Sequence, residues 1–452
     1  MMETKDPISN PITEGVIWKQ LLAFFFPILL GTFFQQLYNT IDMIIVGRFV
    51  GKEALASVGG SAGQIVNLVV GFFTGLSAGA GVVISQHYGA NDEQRLNNSI
   101  HTAYALSLAG SVFFMITGIL LSTRMLRWMN TPEELLASSD LYLKIYFGGI
   151  LFVFIYNIGS GILRALGNSR LPLYYLIVCC ILNIVFDLVM VLGFRLGVAG
   201  AAIATVIAQG VSALLVTRAL MRSKDIYRLK LSRIRFHKGV LQSQLYLGIP
   251  GGLQSVMYNI SNIIIQAAVN AYGTDTTAAW AAYGKLDAVF WMISGAFGVA
   301  ITTFVGQNYG AGKMDRIDQG IKICLGMDQA VSVAASILLV AFRYQLFSIF
   351  TDDAQVIRIG CEMLMVITPC YVTFSFIEIL SSALRGVSDV VIPMILTMFG
   401  VCFMRIAWIF LVVPIKPSIT TIILNYPVTW ILTSVLFVAY YYHKKKRLYA
   451  GR

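Results

Sequence analysis

The chain runs to 452 residues, 57% of them hydrophobic and 12% charged, with a formal net charge of +11 and a mean hydropathy of +0.75. That leaves too few polar groups to coat a soluble globule of this size, so the chain belongs in lipid. The basic excess, with a pI near 9.3, sits in segments flanking apolar runs, where membrane topology and anionic headgroups account for it and nucleic acid is not an expected partner.

Residues 1–16 are polar and carry Glu3, Asp6 and Glu14, which is not the composition of a cleavable signal peptide. Twelve apolar runs follow, at roughly 17–46, 54–84, 98–121, 139–160, 170–193, 199–220, 243–271, 278–305, 319–342, 357–384, 391–413 and 418–442, each suited to a hydrocarbon core that takes about 20 helical residues to cross. The runs are near-continuous, not alternating, so they are helices and not barrel strands. The predicted fold is an all-α integral membrane protein of twelve transmembrane helices.

Between the sixth and seventh runs, residues 221–240 hold Arg222, Lys224, Arg228, Lys230, Arg233, Arg235 and Lys238 against a single acid, Asp225. This segment is expected in the cytoplasm. An even helix count then puts both termini there, together with the tail Lys444, Lys445, Lys446 and Arg447 and the loops bearing Arg95, Arg164, Arg170, Lys313, Arg316 and Arg385. Cys179, Cys180, Cys324, Cys361, Cys370 and Cys402 lie in or beside the runs with no zinc-like spacing, and read as buried thiols. His87, His101, His237 and His443 read as interfacial.

The sequence repeats itself. SQHYGANDEQRLNNSI at 85–100 pairs with GQNYGAGKMDRIDQGI at 306–321 through Gln86/Gln307, Tyr88/Tyr309, Gly89/Gly310, Ala90/Ala311, Arg95/Arg316 and Ile100/Ile321, a spacing of 221 residues. SGILRALGNSRLP at 160–172 meets SSALRGVSDVVIP at 381–393 at the same spacing, and YNTIDMII from Tyr38 meets YNISNIII from Tyr258. Six helices per repeat is an even number, so the halves are parallel repeats about an axis along the membrane normal. The expected organisation is an N-terminal six-helix lobe over 1–220, a basic cytoplasmic linker over 221–240 and a C-terminal lobe with its basic tail over 241–452. Gly89 and Gly310 are expected at left-handed helix ends, and Gly75, Gly79, Gly81, Gly295 and Gly298 in close helix packing.

An ionisable side chain in mid-span costs about 2.5–3.5 kcal/mol on insertion scales, so one that persists faces a cavity or a partner. Asp42 near the end of the first run and Asp187 near the end of the fifth fall at nearly one depth, roughly 6–9 Å below the outer boundary at ~1.5 Å per residue, and Thr205 in the sixth reaches the same level. Asn183 stands one turn before Asp187, and Asn39 three residues before Asp42. Such a hard-oxygen cluster suits a proton or a small cation such as Na⁺, with Asp42, Asn183, Asp187 and Thr205 as ligands. The bland alternative is that each Asp caps a helix end or bonds a neighbouring amide.

Glu378, at the repeat position of Asn157, is expected on the cytoplasmic side of a cavity, with pairing to Arg405 or Lys285 as the competing reading. Asp287 and Asp328 are weaker candidates, and Asn262 stands where the first repeat has Asp42. Pro27 is either a hinge in the first helix or the residue at which its regular part begins. Tyr38, Phe33, Phe34, Tyr258, Trp280 and Trp291 suit stacking on a cationic organic substrate, although most aromatic residues serve packing.

Pro27 with QQLYNTIDMIIVGRFVG in the first run, SQHYGA and GQNYGAGK after the second and eighth, SGILRALGNSRLP after the fourth, and LNIVFDLVMV with LGVAGAAIAT across the fifth and sixth carry a resemblance. In these motifs the sequence resembles the multidrug and toxic compound extrusion (MATE) transporters, from about Thr13 to about Tyr442. The resemblance implies a V-shaped pair of lobes around a central cavity and a monomer working among lipids in the plasma or inner membrane. It also implies export of amphipathic, often cationic, small molecules in exchange for H⁺ or Na⁺, with no other cofactor. In prokaryotic members the aspartates of an N-lobe cation site match Asp42 and Asp187, with Asn183 and Thr205 at its other polar positions. Tyr38, Asn39, Asn157, Gln254, Tyr258, Asn262 and Glu378 are the expected substrate-cavity residues.

The NorM-like branch carries a seventh-span acid where this chain has Gln254 and Asn262, whereas Glu378 resembles that branch's tenth-span acid. The chain resembles the DinF-like or NorM-related bacterial branches. The rival reading is a lipid-linked oligosaccharide flippase, which calls for a more basic cavity than the few mid-span Arg and Lys residues supply. No HExxH, GxSxG or Cys/His pairing marks an enzyme.

Overall fold

In hydrocarbon a backbone N–H or C=O is satisfied only inside its own helix or in a closed barrel. The computed structural model describes residues 11–223 and 226–450, and every regular element among them is helical. Glu3 and Asp6 of the leader, Lys224 and Asp225 of the basic segment and the side chain of Arg447 lie outside the described residues. The membrane helices are α1 (Ile17–Val50), α2 (Lys52–Gly89), α3 (Glu93–Trp128), the bent pair α4 (Glu133–Gly148 and Ile150–Ala165), α5 (Arg170–Gly193) and α6 (Gly197–Arg222). The second set is α7 (Lys238–Asn270), α8 (Thr274–Gly310), α9 (Met314–Ala341), α10 (Ala354–Gly386), α11 (Val391–Leu411) and α12 (Ile419–Lys446).

Ten of these are long and apolar enough to cross a membrane, and α4 makes an eleventh when its two halves count as one span. α7 has 33 residues, about 50 Å at ~1.5 Å per residue, but Gln242, Gln244, Gln254, Asn259, Asn262 and Gln266 dilute its hydropathy. With it the spans number twelve, and the chain is a multi-pass membrane protein. α4 bends by 49° at Gly149. A Cβ at Gly149 would collide with Val206, so the glycine lets α6 approach the bend.

The chain divides into two compact units. One comprises residues 26–252 and 310–312, the other residues 11–25, 253–309 and 313–450. α1 and α7 are each shared between the units, and each changes over within a few residues of an internal proline, Pro27 or Pro250. Pro27 thus lies inside a continuous helix and does not begin it, because α1 already runs from Ile17.

The backbone repeats as the sequence does. Left-handed residues recur 221 positions apart, at Asn91 (φ 53°) and Gly312 (φ 71°), and again at Gly167 (φ 89°) and Ser388 (φ 65°). So do the turn bonds: Asp92 N donates to His87 O at 3.1 Å and Lys313 N to Asn308 O at 2.9 Å, while Asn168 N donates to Leu163 O and Asp389 N to Leu384 O, both at 2.9 Å. The left-handed positions therefore fall two residues after Gly89 and Gly310, which remain helical. What Gly310 supplies is space, since a Cβ there would collide with the Gln86 carbonyl.

Gly75 and Gly79 of α2 face the backbones of Gly251 and Gly248 of α7 so closely that no Cβ fits at either crossing. The expectation fails at Gly295, where a Cβ would have nothing within 4 Å, and at Gly81, where its nearest neighbour would be 3.9 Å away. Gly298 makes room for the Glu378 carboxylate.

The chain ends and linker are tied to helix starts. Arg316, at the start of α9, donates to the carbonyls of Ile12, at 3.1 Å from Nη2, and Gly15. Nearby, Lys445 pairs with Asp318, and Lys444 with Asp389 at 3.0 Å. In the first unit, Asn97 of α3 donates to the Ile226 carbonyl at 2.5 Å, and Lys230 N donates to His101 Nε2 at 3.1 Å. His101 is therefore a buried anchor for the linker and not an interfacial side chain. All six cysteines are free; five are buried and Cys370 is half-buried.

Candidate functional site

Asp42 lies eight residues before the end of α1, Asp187 six before the end of α5 and Thr205 eight after the start of α6. At ~1.5 Å per residue all three sit roughly 9–12 Å below the helix ends, a little deeper than the sequence suggests because α1 runs on to Val50. They meet in one pocket of the first unit. Asp187 and Asn183 are 0% and 1% exposed, and Asp42 and Thr205 8% and 9%. Asn183 Nδ2 donates to Thr205 Oγ1 at 3.3 Å, and Asp42 and Asp187 are side-chain neighbours. Gln209 donates to the Tyr38 hydroxyl at 3.5 Å, and the buried Tyr142 of α4 lies near both carboxylates.

Backbone irregularity places the acids. α5 passes into a π-helical segment, Leu188–Gly193, directly after Asp187, and α1 does the same at Val46–Val50, shortly after Asp42. A π turn re-aims the side chains around it and is common at functional sites.

The chemistry of the pocket follows from what its oxygens lack. Asp42 Oδ1, both Asp187 oxygens, Asn183 Oδ1 and Gln209 Oε1 are buried with no hydrogen-bond donor among the described residues. A buried acceptor left so costs about 1–3 kcal/mol, and more when charged. A helix-capping role for either Asp would have supplied backbone donors, so the pocket fits a positive partner better than a cap. Two carboxylates with amide and hydroxyl oxygens suit a proton or a hard cation such as Na⁺. The described residues contain no group of three His, Cys, Asp or Glu side chains of the kind that holds a transition metal.

Other expected residues are not gathered there. Asn39, three residues before Asp42, is exposed, and Asn157 Nδ2 bonds its own helix at Val153 O, 2.8 Å away. Tyr258, Asn262 and Glu378 instead line a cavity of about 510 Å³ inside the second unit. Gln254 is one turn before Tyr258 and bonds to it. Trp280, Tyr283, Trp291, Phe374 and Tyr426 give this cavity aromatic walls, and Asp287 and Arg405 give it charge.

Asp287 is fully engaged. Its Oδ1 accepts from the hydroxyls of Tyr371 at 2.5 Å and Tyr283 at 3.2 Å, and its Oδ2 from Trp291 Nε1 at 2.6 Å. Asp328 is buried in α9, apart from the cavity lining, and accepts from Ser294 at 3.3 Å. Glu378 accepts from Ser382 at 3.3 Å and forms no ion pair with Arg405 or Lys285 among the described residues, so the expected pairing is not made. Arg405 is only 1% exposed, its guanidinium 4.1 Å from the Tyr426 ring and 5.6 Å from that of Trp430.

Sequence reasoning missed two members of the first pocket. Gln209 stands one helical turn after Thr205, a spacing that marks it. Tyr142, in the first half of α4, carries no such signal.

The comparisons with known proteins agree with the repeat. The model of the MatE family matches residues 27–189 and 250–411, one segment in each half. The probable multidrug resistance protein YoeA of Bacillus subtilis (strain 168) is 28% identical over 99% of this chain and 99% of its own. The probable multidrug resistance protein YpnP of the same organism is 30% identical over 87% of this chain and 88% of its own. Among solved structures, the outward-facing conformation of a multidrug resistance MATE family transporter of the MOP superfamily aligns with a TM-score of 0.91 at 20% identity, covering 99% of this chain and 100% of that one.

Proposed function

The chain belongs to the MatE family, the multidrug and toxic compound extrusion transporters, and from that premise we propose that it exports amphipathic, often cationic, small molecules by antiport with H⁺ or Na⁺. It is a transporter and not an enzyme. The multidrug resistance names of its relatives support the substrate class. The coupling reading is carried by one observation, the cluster of buried, donor-less oxygens on Asp42, Asp187 and Asn183.

In this reading a proton or Na⁺ entering from the outer side neutralises the Asp42/Asp187 pocket and favours the arrangement that binds substrate weakly. Only a difference in affinity between two arrangements can shift their populations, so cation and substrate must prefer opposite ones. The internal Pro27, which removes a backbone donor from α1 fifteen residues before Asp42, serves as the hinge through which the pocket's charge affects shape. The membrane potential supplies about 2.3 kcal/mol per charge per 100 mV. Exchange of one cation for a monocationic substrate is electroneutral and draws instead on the concentration gradient.

Tyr38, Asn39, Asn157, Gln254, Tyr258, Asn262 and Glu378 are the proposed substrate-side residues. The basic segment 221–240 and the tail are assigned to the cytoplasm by their charge, in the plasma or inner membrane, with the single chain as the working unit. The test is Asp42→Asn, expressed at the wild-type level in cells loaded with a cationic dye. Loss of efflux is expected; normal efflux would remove the role given to Asp42.

A further inference from the structure

A neutral imidazole donates through one nitrogen and accepts through the other, and a second proton turns the acceptor into a donor. His101 of α3 is 2% exposed. Its Nδ1 lies 2.7 Å from the Asn97 carbonyl, which only accepts, so the ring's proton is assigned to Nδ1. Nε2 is left to accept from the Lys230 amide at 3.1 Å. His237 is held in the same state. Its Nε2 accepts from Arg235 Nε at 3.2 Å, and its Nδ1 is 3.2 Å from the hydroxyl of Thr102, the residue after His101 in α3. The His237 amide donates to that hydroxyl at 3.2 Å.

These bonds fasten one segment to one helix. Between α6 and α7, residues 226–237 lie against the first unit. Leu229 is 1% exposed and packs with Leu96, Ile100 and Leu220, with Ile226, Tyr227 and Ile234 half-buried beside it. Leu229 N donates to Leu220 O at 3.0 Å. The second unit ties its own following segment differently. At the 221-residue spacing Asn97 and His101 correspond to Asp318 and Lys322, which pair with each other at 2.8 Å, and Asp318 also pairs with Lys445 of the tail. The tail is thus held by ion pairs and the linker by neutral rings.

A proton arriving on either Nε2 meets a donor already in place, and the charge around it is mostly of its own sign. The linker brings Arg228, Lys230, Arg233 and Arg235, with no acid between Ile226 and Tyr246. The helix ends on this side bring His87 of α2, Arg164 of α4, Arg222 of α6 and Lys238 of α7. The acids at the start of α3 are Asp92, paired with Arg95 at 3.4 Å, and Glu93, eight residues before His101 and so about 12 Å away along the axis at ~1.5 Å per residue. Burial, Arg235 and His101 push the His237 pKa below its ordinary value.

We propose that residues 226–237 are a proton-released latch, docked on α3 while His101 and His237 are neutral and detached when acid on their side of the membrane protonates both rings. The docked segment binds fewer protons than the free one, so docking is at full strength above the free-histidine pKa of ~6.5 and is lost as pH falls below it. Each ring weakens docking roughly tenfold per pH unit below that value. The inference rests on the cytoplasmic placement given to this segment above. The latch then senses the compartment into which an H⁺-driven exporter delivers its protons.

The test is hydrogen exchange of the full chain in lipid nanodiscs at about pH 7.5 and about pH 5.5, with labelling times scaled to the intrinsic exchange rate and mass spectrometry reading residues 226–237. At the higher pH the amides of Leu229, Lys230 and His237 are expected to be protected, because each donates to the first unit. In acid that protection should fall roughly tenfold to a hundredfold, and return when the pH is restored. The double variant His101→Gln/His237→Gln, whose amides accept without titrating, should stay protected at both pH values. Unchanged wild-type protection overturns the proposal, as does a double variant that loses protection in acid as wild type does. Where the variant fails to dock at either pH, wild type decides: a reversible loss confined to this segment supports the latch, and a loss spread through α3 and α6 overturns it. Gradient-driven export by a protein whose linker ignores pH would sink the latch and leave the exporter reading standing.

Discussion

In the first unit, Asp42 lies beside Asp187 and Asn183 donates to Thr205, while Asp42 Oδ1, both Asp187 oxygens and Asn183 Oδ1 have no donor among the described residues. The corresponding helices of the second unit enclose a cavity of about 510 Å³, walled by Trp280, Trp291 and Tyr426 and with the buried Arg405 in its lining. The helix packing is the same kind in both, since turns and hydrogen bonds recur 221 residues apart. What changed is side-chain chemistry and the π segments, which stand at Val46–Val50, Val58–Ala62 and Leu188–Gly193 in the first unit and at Met398–Phe403 in the second. A duplicated bundle can therefore divide its labour, with one copy fitted to a small cation and the other to a larger, ring-bearing molecule, because twelve spans fix only where a polar group can be placed.

The comparison breaks most sharply at the acids. Asp187→Asn is expected to reduce gradient-driven export to the level of empty vesicles, whereas Asp287→Asn should leave the ion dependence intact and lower thermal stability in detergent, because its three donors make it a structural acceptor. Each such charge-assisted bond is worth about 1.5–3 kcal/mol; an Asp287→Asn protein that loses ion dependence would erase the distinction between the units. The next effect is steric. Gly79→Leu, which meets the backbone of α7 at Gly248, should lower the melting temperature by the equivalent of at least about 1–3 kcal/mol, while Gly295→Ala, with open space around it, should not.

Smaller changes sharpen the picture of the cation pocket. Asn183→Ala is expected to raise the half-saturating H⁺ or Na⁺ concentration about tenfold with the maximal rate preserved, and Thr205→Val to raise it less, since a neutral bond is worth only about 0.5–1.5 kcal/mol. An unchanged half-saturation in both would remove these two from the ligand set. Least of all, Lys445→Ala should cost below about 1 kcal/mol by thermal melting, as surface ion pairs do, since Tyr441 still donates to Asp318 when the Lys445–Asp318 pair is gone.

The sequence exposes those parts of the molecule that depend on composition or spacing. Apolar runs of span length, the 221-residue repeat and the common depth of Asp42 and Asp187 all survive in the structure, because insertion cost and helical rise are properties of residue order alone. The bend at Gly149, the π segments and the role of Gly310 do not announce themselves. Each depends on what another helix places against that position, as Val206 does at Gly149 and Gln86 at Gly310. Arg405 illustrates the limit: its charge is visible in the sequence and offers a partner for Glu378, but the structure sets its guanidinium against the rings of Tyr426 and Trp430. The left-handed residues at Asn91 and Gly312 were misplaced by two for a related reason, the helix having run on through the small residues that precede them.

The central claim is that the Asp42/Asp187 pocket couples export to an ion. Wild-type and Asp42→Asn/Asp187→Asn proteins in proteoliposomes, given a pH gradient and a Na⁺ gradient one at a time with rhodamine 123 as cargo, test it directly. Wild type should move the dye against its gradient with at least one of the two ions, and the double variant with neither; dye driven equally well by both proteins would contradict the account.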